Sequence, residues 1–135
     1  MSRFAILTLV VALTATACSD TPTAPDEPLE PITDFYEGTL TPNGAERFSF
    51  VTAISGVTTA TIVSLDPSDA VIGLGLGTYT AALNLCQVLL PNDRATLNTE
   101  IQGQSDRAGN LCVRIYDATG QLSGPVRYKV RVIHQ

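Results

Sequence analysis

The stretch Gly109–His134, GNLCVRIYDATGQLSGPVRYKVRVIH, decides the fold class of this chain. Two alternating runs, Leu111–Tyr116 and Val126–Ile133, flank a polar segment, Asp117–Pro125, and this pattern predicts a β-hairpin. One face of the second run is apolar and the other is cationic, as in a strand with one buried and one wet side. The apolar set is Val126, Tyr128, Val130 and Val132, and the cationic set is Arg127, Lys129 and Arg131.

The preceding residues predict further short strands that cover this apolar face. They lie at Phe35–Leu40, Ala45–Ala53, Val57–Leu65, Val71–Tyr79, Ala82–Leu90 and Ala95–Ile101, with turns at Thr41–Gly44, Asp66–Asp69 and Pro91–Asp93 and a loop at Gln102–Ala108. About eight strands with a turn every dozen residues or so predict an all-β antiparallel sandwich of jelly-roll or immunoglobulin-like type. A helix over Tyr79–Leu90 is the local alternative.

The residue patterns of two strands predict what each strand face contacts. In VIGLGLGTY, three glycines, Gly73, Gly75 and Gly77, share one face, and glycine weakens a strand. We therefore expect another backbone or a packed side chain to approach that face closely. In the strand that begins at Ala95, the predicted inward residues are Ala95, Leu97, Thr99 and Ile101.

The first 17 residues predict a secretory signal peptide. One cation at Arg3 precedes the apolar run Phe4–Leu13, which is too short for a membrane-spanning helix, since such a helix needs about 20 residues. The following Ala15-Thr16-Ala17-Cys18 resembles the bacterial lipobox, although Ala15 stands where leucine is usual. That resemblance implies that cleavage before Cys18 makes it the N-terminal residue and that Cys18 is acylated. The acyl chains would anchor the protein in a membrane. Cleavage at the same bond without acylation is the alternative.

A tether follows the cleavage site, over residues 18–34, and the folded domain is predicted over residues 35–135. Four prolines spaced by three (Pro22, Pro25, Pro28 and Pro31) favour extended polyproline II, and the acidic residues among them repel one another. A proline-rich recognition motif is the alternative. Ser19 after the cysteine favours sorting to the outer membrane, with a secreted protein as the alternative localisation.

Charge is distributed unevenly along the chain. Every charge between Ser19 and Glu37 is acidic, whereas basic and acidic residues balance from Gly38 onward, so the formal net charge of −5 arises in the N-terminal part. A neutral domain does not neutralise phosphates, and the sequence therefore excludes a nucleic-acid-binding role. No motif for a cofactor stands out.

The cysteines Cys86 and Cys112 form an even pair once Cys18 is set aside. In an exported protein this predicts a disulfide that closes a loop of about 26 residues and stabilises the fold by a few kcal/mol. Two buried free thiols are the alternative. A zinc site is disfavoured because the chain has one histidine, His134, and two cysteines do not complete a tetrahedral set.

Several segments together resemble the bacterial pre-peptidase C-terminal domain. They are Gly38-Thr39-Leu40, Phe48-Ser49-Phe50-Val51, Gly56-Val57 with the Thr-rich strand, Ala108–Tyr116 and Tyr128–Val132. The resemblance covers roughly residues 35–134. It implies a small β-sandwich that acts as a non-catalytic accessory module in binding or secretion. Some members bind calcium through acidic loops, and this sequence has no matching acidic cluster.

Catalytic residues are scarce in this sequence. We expect His134 to be exposed at the chain end, which is a poor place for a Ser–His pair. Carboxylate pairs are available at Asp66/Asp69 or Asp93/Asp106, but aspartates that flank Pro67 are typical of turns. The sequence therefore predicts a protein that is not an enzyme.

Loops on a rigid sandwich are the remaining candidate sites. They are Asp66–Ala70, Pro91–Arg94 and Gln102–Asn110, with Asp66, Asp69, Asn92, Asp93, Asp106 and Arg107 as candidate binding residues. The predicted function is a surface-tethered module that binds a protein or glycan of the cell envelope. A structural envelope protein without a specific ligand and a calcium-dependent binding module are the alternatives.

Overall fold

A computed structural model describes residues 28–135, so the predicted signal peptide, Cys18 and most of the tether lie outside the described residues. Within this part, eight strands form two four-stranded antiparallel sheets. The strands are β1 (Ile32–Leu40), β2 (Ala45–Thr52), β3 (Gly56–Asp66), β4 (Ile72–Thr80), β5 (Leu85–Ala95), β6 (Glu100–Ser105), β7 (Gly109–Tyr116) and β8 (Val126–His134). A single 3₁₀ turn at Ala81–Leu83 joins β4 to β5.

The strands are nested as in a jelly roll. The first sheet has the order β1-β8-β3-β6 and the second has the order β2-β7-β4-β5. The first strand therefore pairs with the last, the second with the seventh, the third with the sixth and the fourth with the fifth. This is the double Greek-key arrangement of a two-sheet jelly roll. The predicted all-β sandwich is confirmed.

The closing pair of strands corrects the hairpin prediction. β7 and β8 both exist with the predicted alternation, but they belong to different sheets and do not pair with each other. Their apolar faces meet across the interior, where Val113, Ile115, Val130 and Val132 are fully buried. The connecting segment is long enough to span the roughly 10 Å between packed sheets, which a two-residue turn could not do.

The predicted turn Pro91–Asp93 and loop Pro91–Arg94 are wrong, because these residues lie inside β5. β5 is an edge strand, and proline is tolerated on an edge because the missing N–H faces no partner. The pairing of β4 with β5 shifts register twice, and the Asn92 side chain accepts a hydrogen bond from the Arg94 amide in this irregular stretch (3.0 Å).

The longer β5 displaces the elements that follow. The chain turns after Ala95, and β6 begins at Glu100 rather than at Ala95. Leu97, predicted to point inward, is therefore a turn residue with 36% of its surface exposed. The predicted loop Gln102–Ala108 shortens to three residues, because β6 continues to Ser105.

Two further boundaries differ from the prediction. β1 begins at Ile32, three residues before the predicted Phe35, because antiparallel pairing with β8 extends from Ile32 to Leu40. The helical alternative over Tyr79–Leu90 reduces to the 3₁₀ turn, which ends at Asn84 in the left-handed conformation (φ 48°). Leu85 onward is extended.

The glycine face of β4 confirms the prediction of a close approach. The Tyr116 ring covers Gly73, and the Val88 side chain covers Gly75. At Gly77 it is backbone that approaches, and a Cβ atom there would overlap the carbonyl oxygen of Gln87. The ends of β4 and β5 thus curl as an arm (residues 79–87) over the outer face of the second sheet.

The predicted disulfide between Cys86 and Cys112 fastens this arm to the sheet. It joins β5 to β7 with the two Cα atoms 5.8 Å apart. Beyond the disulfide, Asn84 accepts hydrogen bonds from the Tyr79 hydroxyl (2.8 Å) and from the Arg47 side chain on β2 (3.3 Å). The arm therefore crosses from β4 to β2 above β7.

A half-buried carboxylate lies at the border of the interior. Glu46 shares the inward face of β2 with Phe48 and Phe50 and accepts a hydrogen bond from the Tyr128 hydroxyl. Gly38 lies opposite Tyr128 in the register, and a side chain at that position would overlap both partners. The glycine therefore makes room for the polar pair.

Candidate functional site

Four connections of the sandwich lie at one end, which we call the turn end. They are the β1–β2, β3–β4 and β5–β6 turns and the nine-residue loop between β7 and β8. At the opposite end, which we call the terminal end, β1 begins and β8 finishes, beside the β2–β3 and β6–β7 turns. The Ala53 amide donates a hydrogen bond to the carbonyl oxygen of the last residue, Gln135, at that end (2.8 Å).

A cleft of about 580 Å³ opens at the turn end. Segments that are distant in sequence form its walls: the β3–β4 turn, the last residues of β5 and the β7–β8 loop. The polar lining residues are Asp69, Asp93, Arg94, Thr119, Gln121 and Ser123. Apolar side chains, including Val71, Leu122 and Val126, complete the cleft, so it offers hydrogen-bonding and apolar contacts together.

One carboxylate holds the β7–β8 loop in place. Asp117 accepts backbone N–H hydrogen bonds from Asn43 (3.0 Å), Gln121 (3.3 Å) and Leu122 (3.3 Å). The bond from Asn43 is the main reason that the pKa of this carboxyl lies below its usual value. The Asp117 amide in turn donates to the carbonyl oxygen of Gly44 (3.0 Å). The loop is therefore tied to the β1–β2 turn.

A tyrosine fixes the second carboxylate of the cleft. The Tyr116 hydroxyl donates a hydrogen bond to Asp93, and the Tyr116 ring lies over Gly73 with the Arg114 guanidinium 5.4 Å from its centre. Burial, followed by the bond to Asp93, raises the pKa of Tyr116 to about 12. The phenol remains a donor at neutral pH, so its hydrogen bond orients the Asp93 carboxylate in the wall of the cleft.

The structure separates the candidate residues predicted from sequence. Asp69 and Asp93 meet in the turn-end cleft. Asp66 forms an ion pair with Arg127, and Asn92 bonds the backbone of β5. These last two have structural partners and line no part of the cleft.

Asp106 and Arg107 lie at the terminal end, so the suggested carboxylate pair of Asp93 and Asp106 does not form. Asp106 and Arg107 bind each other (3.4 Å) and are strongly exposed. They line a second groove of about 580 Å³ between β5 and β6. Its walls include Leu76, Leu89 and Leu90, and it opens where the arm leaves β4.

The prediction that His134 is exposed is wrong. The side chain is 3% exposed, and its Nε2 atom lies 3.0 Å from Asp34 Oδ2. His134 occupies an inward position of β8, where β1 covers it and its ring lies against Phe50 with ring centres 4.8 Å apart. The imidazole is thus part of the packed interior and is out of reach of a substrate.

The β7–β8 loop supplies cleft residues that sequence analysis did not select. In the sequence, Thr119, Gln121 and Ser123 belong only to the polar segment Asp117–Pro125 between two strands. The signal available was Asp117 ahead of Gly120, which is typical of a turn that an aspartate stabilises. That pattern shows an ordered loop but does not reveal what the loop faces.

Between residues 28 and 135, no group of three or more histidine, cysteine, aspartate or glutamate side chains is placed to hold a metal ion. Over that range, no helix has the length and apolar character needed to cross a bilayer.

Comparison with known proteins supports the fold. No protein-family model matches the chain, and no curated protein sequence matches it. Among solved structures, the chain is similar to the crystal structure of Aeromonas hydrophila PliG, a periplasmic lysozyme inhibitor of g-type lysozyme. The TM-score is 0.55 with 15% sequence identity, over 76% of this chain and 86% of that chain. At this identity the likeness concerns the fold alone.

Proposed function

We propose that this chain is an exported, lipid-tethered envelope protein whose β-sandwich binds another protein through the turn-end cleft. The observation that carries the proposal is the cleft itself. Three separate segments build it, and its two carboxylates, Asp69 and Asp93, lie beside Arg94. Because Asp117 and Tyr116 hold the surrounding groups in place, little ordering is needed when a partner binds.

A protein partner fits the cleft better than a glycan does. Sugar-binding sites commonly stack aromatic rings on the sugar, whereas the described lining contains no aromatic side chain and the whole chain lacks tryptophan. The mixture of apolar and polar groups suits a protein loop that presents both an apolar and a basic side chain. PliG is an inhibitor of g-type lysozyme, and a lysozyme is therefore the first partner to test.

A non-catalytic role is part of the proposal. A hydrolytic site requires a nucleophile beside a base. His134 is enclosed with Asp34 and Phe50, and Asp93 is bound to Tyr116, so neither is available as a base in the cleft. The resemblance to the pre-peptidase C-terminal domain also supports an accessory role, and we propose membership of that family on the same grounds.

Charge reversal in the cleft tests the site. Asp69→Lys is expected to weaken partner binding about tenfold, since it opposes a basic partner at short range. Asp106→Lys makes the same charge change at the terminal end and serves as the matched control. Binding is measured by surface plasmon resonance, first to a g-type lysozyme. It is then measured to the proteins that crosslinking in living cells attaches to a tagged copy of the chain. Equal loss of binding in both variants would show that the cleft is not the site.

The lipid tether is tested separately. Growth of cells with labelled palmitate is expected to label the protein, and Cys18→Ser is expected to abolish the label and release the protein from membranes. Labelling that persists in the variant, or a wild-type protein that carries no label, contradicts acylation at Cys18. Crosslinks spread over many abundant envelope proteins would favour the structural alternative. A calcium-dependent rise in melting temperature that a chelator reverses would favour the calcium alternative.

A further inference from the structure

Exposed aliphatic side chains gather at the terminal end of the sandwich. We call this set the terminal rim, and it consists of Leu29, Ile32, Val51, Ile54 and Val57. The β2–β3 turn carries Ile54 at its centre, with Val51 and Val57 on the two strands that it joins. Large apolar side chains that cluster in solvent mark a surface that another phase or molecule covers.

The turn end differs in character. Its connections are rich in threonine, asparagine, aspartate and glycine, and its exposed large apolar residues in the described part are Val71 and Leu97. Further exposed apolar side chains lie between the two ends, namely Phe35 on β1 and Leu83, Leu85, Leu89 and Leu90 on the arm and β5. The turn end is therefore the end of the sandwich with the fewest exposed apolar side chains. The cleft proposed to bind a partner lies at the polar end.

The chain enters the domain at the terminal rim. β1 begins at Ile32, and the residues from Cys18 to that point would reach on the order of 40 Å as polyproline II. A lipid at Cys18 would hold the rim within that distance of a bilayer. The location of the chain entry thus selects a lipid surface as the occupant of the rim.

The composition of the rim favours lipid over a protein partner. Energetically dominant residues of protein interfaces are enriched in tryptophan, tyrosine and arginine, whereas the rim is made of leucine, isoleucine and valine. The neighbouring charges, Asp106 and Arg107, bind each other and cancel. The attraction to a bilayer would therefore arise from burial of aliphatic groups and not from surface charge.

We infer that the terminal rim inserts into the surface of a phospholipid bilayer and fixes the sandwich upright, with the turn-end cleft presented to soluble partners. This inference rests on the proposed tether at Cys18. It adds a second contact, made by the folded domain itself, to the anchor made by the lipid.

The test uses the chain from Cys18 onward, which retains every strand of both sheets. Its Cys18 thiol is coupled to a maleimide phospholipid in phosphatidylcholine vesicles, so the result does not depend on natural acylation. The chain lacks tryptophan, and Ile54→Trp therefore gives a single reporter at the rim. Leu97→Trp is the matched control, because Ile54 is 39% and Leu97 36% exposed and both lie in turns.

Lipids with brominated acyl chains are expected to quench most of the fluorescence of the Ile54→Trp reporter and to leave the Leu97→Trp reporter unquenched. The quenching is expected to persist in high salt. Adding Val57→Asp is expected to remove it, whereas adding Val71→Asp, at a residue of similar exposure (47% against 48%), is not. Equal quenching of the two reporters, no quenching at Ile54→Trp, or loss of quenching in salt would overturn the inference.

Discussion

Glu46 is a carboxylate that points into the sandwich, and its partner is the hydroxyl of Tyr128. Burial, followed by the hydrogen bond to Glu46, raises the pKa of Tyr128 well above its usual value. The Phe48 ring lies edge-on to the Tyr128 ring, with centres 6.4 Å apart, and stacks on Tyr36 at 4.8 Å. Aromatic rings thus pack against the tyrosine of this half-buried pair, and removing the donor would leave a partly desolvated carboxylate without a partner.

Tyr128→Phe is expected to lower the free energy of unfolding by about 1–2 kcal/mol, since it leaves Glu46 without its donor. Tyr79→Phe is the control, because it removes a hydroxyl whose bond to Asn84 is exposed, and it is expected to cost less than about 0.5 kcal/mol. Urea unfolding of both variants at neutral pH measures the difference. Equal losses would show that the pair contributes no more than an exposed bond.

Gly77 is the glycine with the least room for a side chain, because the backbone of β5 lies directly above it. Gly77→Ala is expected to lower the free energy of unfolding by about 1–3 kcal/mol. We expect a loss near the upper end of this range, because the backbone of β5 moves less readily than a side chain would. Gly109→Ala, at a position with open space, is the control. A Gly77→Ala variant as stable as Gly109→Ala would contradict the described position of the arm.

At the scale of elements, the arm of residues 79–87 depends on its disulfide. The double variant Cys86→Ala with Cys112→Ala is expected to lose roughly 3–4 kcal/mol, because a cross-link over this loop length restricts the unfolded chain. Chemical denaturation with and without reductant measures the loss. The reductant should destabilise the unmodified protein by a similar amount and leave the double variant unchanged; a variant that still responds to reductant would contradict this assignment.

The β7–β8 loop is the second element whose order rests on one residue. Asp117→Ala is expected to speed amide hydrogen exchange at Gln121 and Leu122, whose N–H groups bind its carboxylate. Because the pKa of Asp117 is lowered in the folded state, its stabilisation is present above the unfolded value of 3.8 and is lost as pH falls through the folded value. Asp117→Asn, which retains one acceptor oxygen, should exchange at an intermediate rate. Unchanged exchange in the alanine variant would show that the loop is held elsewhere.

At the scale of the whole molecule, two half-buried phenols make the free energy of unfolding sensitive to alkali. The pKa values of Tyr36 and Tyr116 are each raised to about 12, chiefly by burial and then by Asp34 and Asp93. The folded state therefore retains these protons more tightly than the unfolded chain does. Their stabilisation is complete below the unfolded pKa of about 10 and is lost as pH rises towards 12.

A rapid spectrophotometric titration of tyrosinate should therefore show ionisation at higher pH in the folded protein than in the same chain in denaturant. Tyr116→Phe should remove part of the high-pH component and make unfolding less dependent on pH between 10 and 12. Coincident titration curves for the folded and denatured chains would refute the described partial burial of the phenols.

The alternation of β8 carried most of the information that the sequence holds about the fold. Each residue of its inward set is buried, and each cation is on the outer side, because a period-2 pattern fixes the two faces of a strand wherever that strand pairs. The glycine face of β4 and the pairing of Cys86 with Cys112 were also predictable. The faces of the strands follow from residues that are close in sequence, and the disulfide follows from the number of cysteines.

Tertiary structure alone decided which strands pair and what the loops face. β7 and β8 are consecutive in sequence yet lie in opposite sheets, since covering both apolar faces outweighs forming a local hairpin. His134 was expected at an exposed chain end, and β1 buries it by pairing along the whole of β8. The turn-end cleft joins Asp69, Asp93 and the β7–β8 loop, which have no common sequence pattern. Local sequence determines the faces of strands, whereas the proximity of distant segments follows from how the two sheets close over one core.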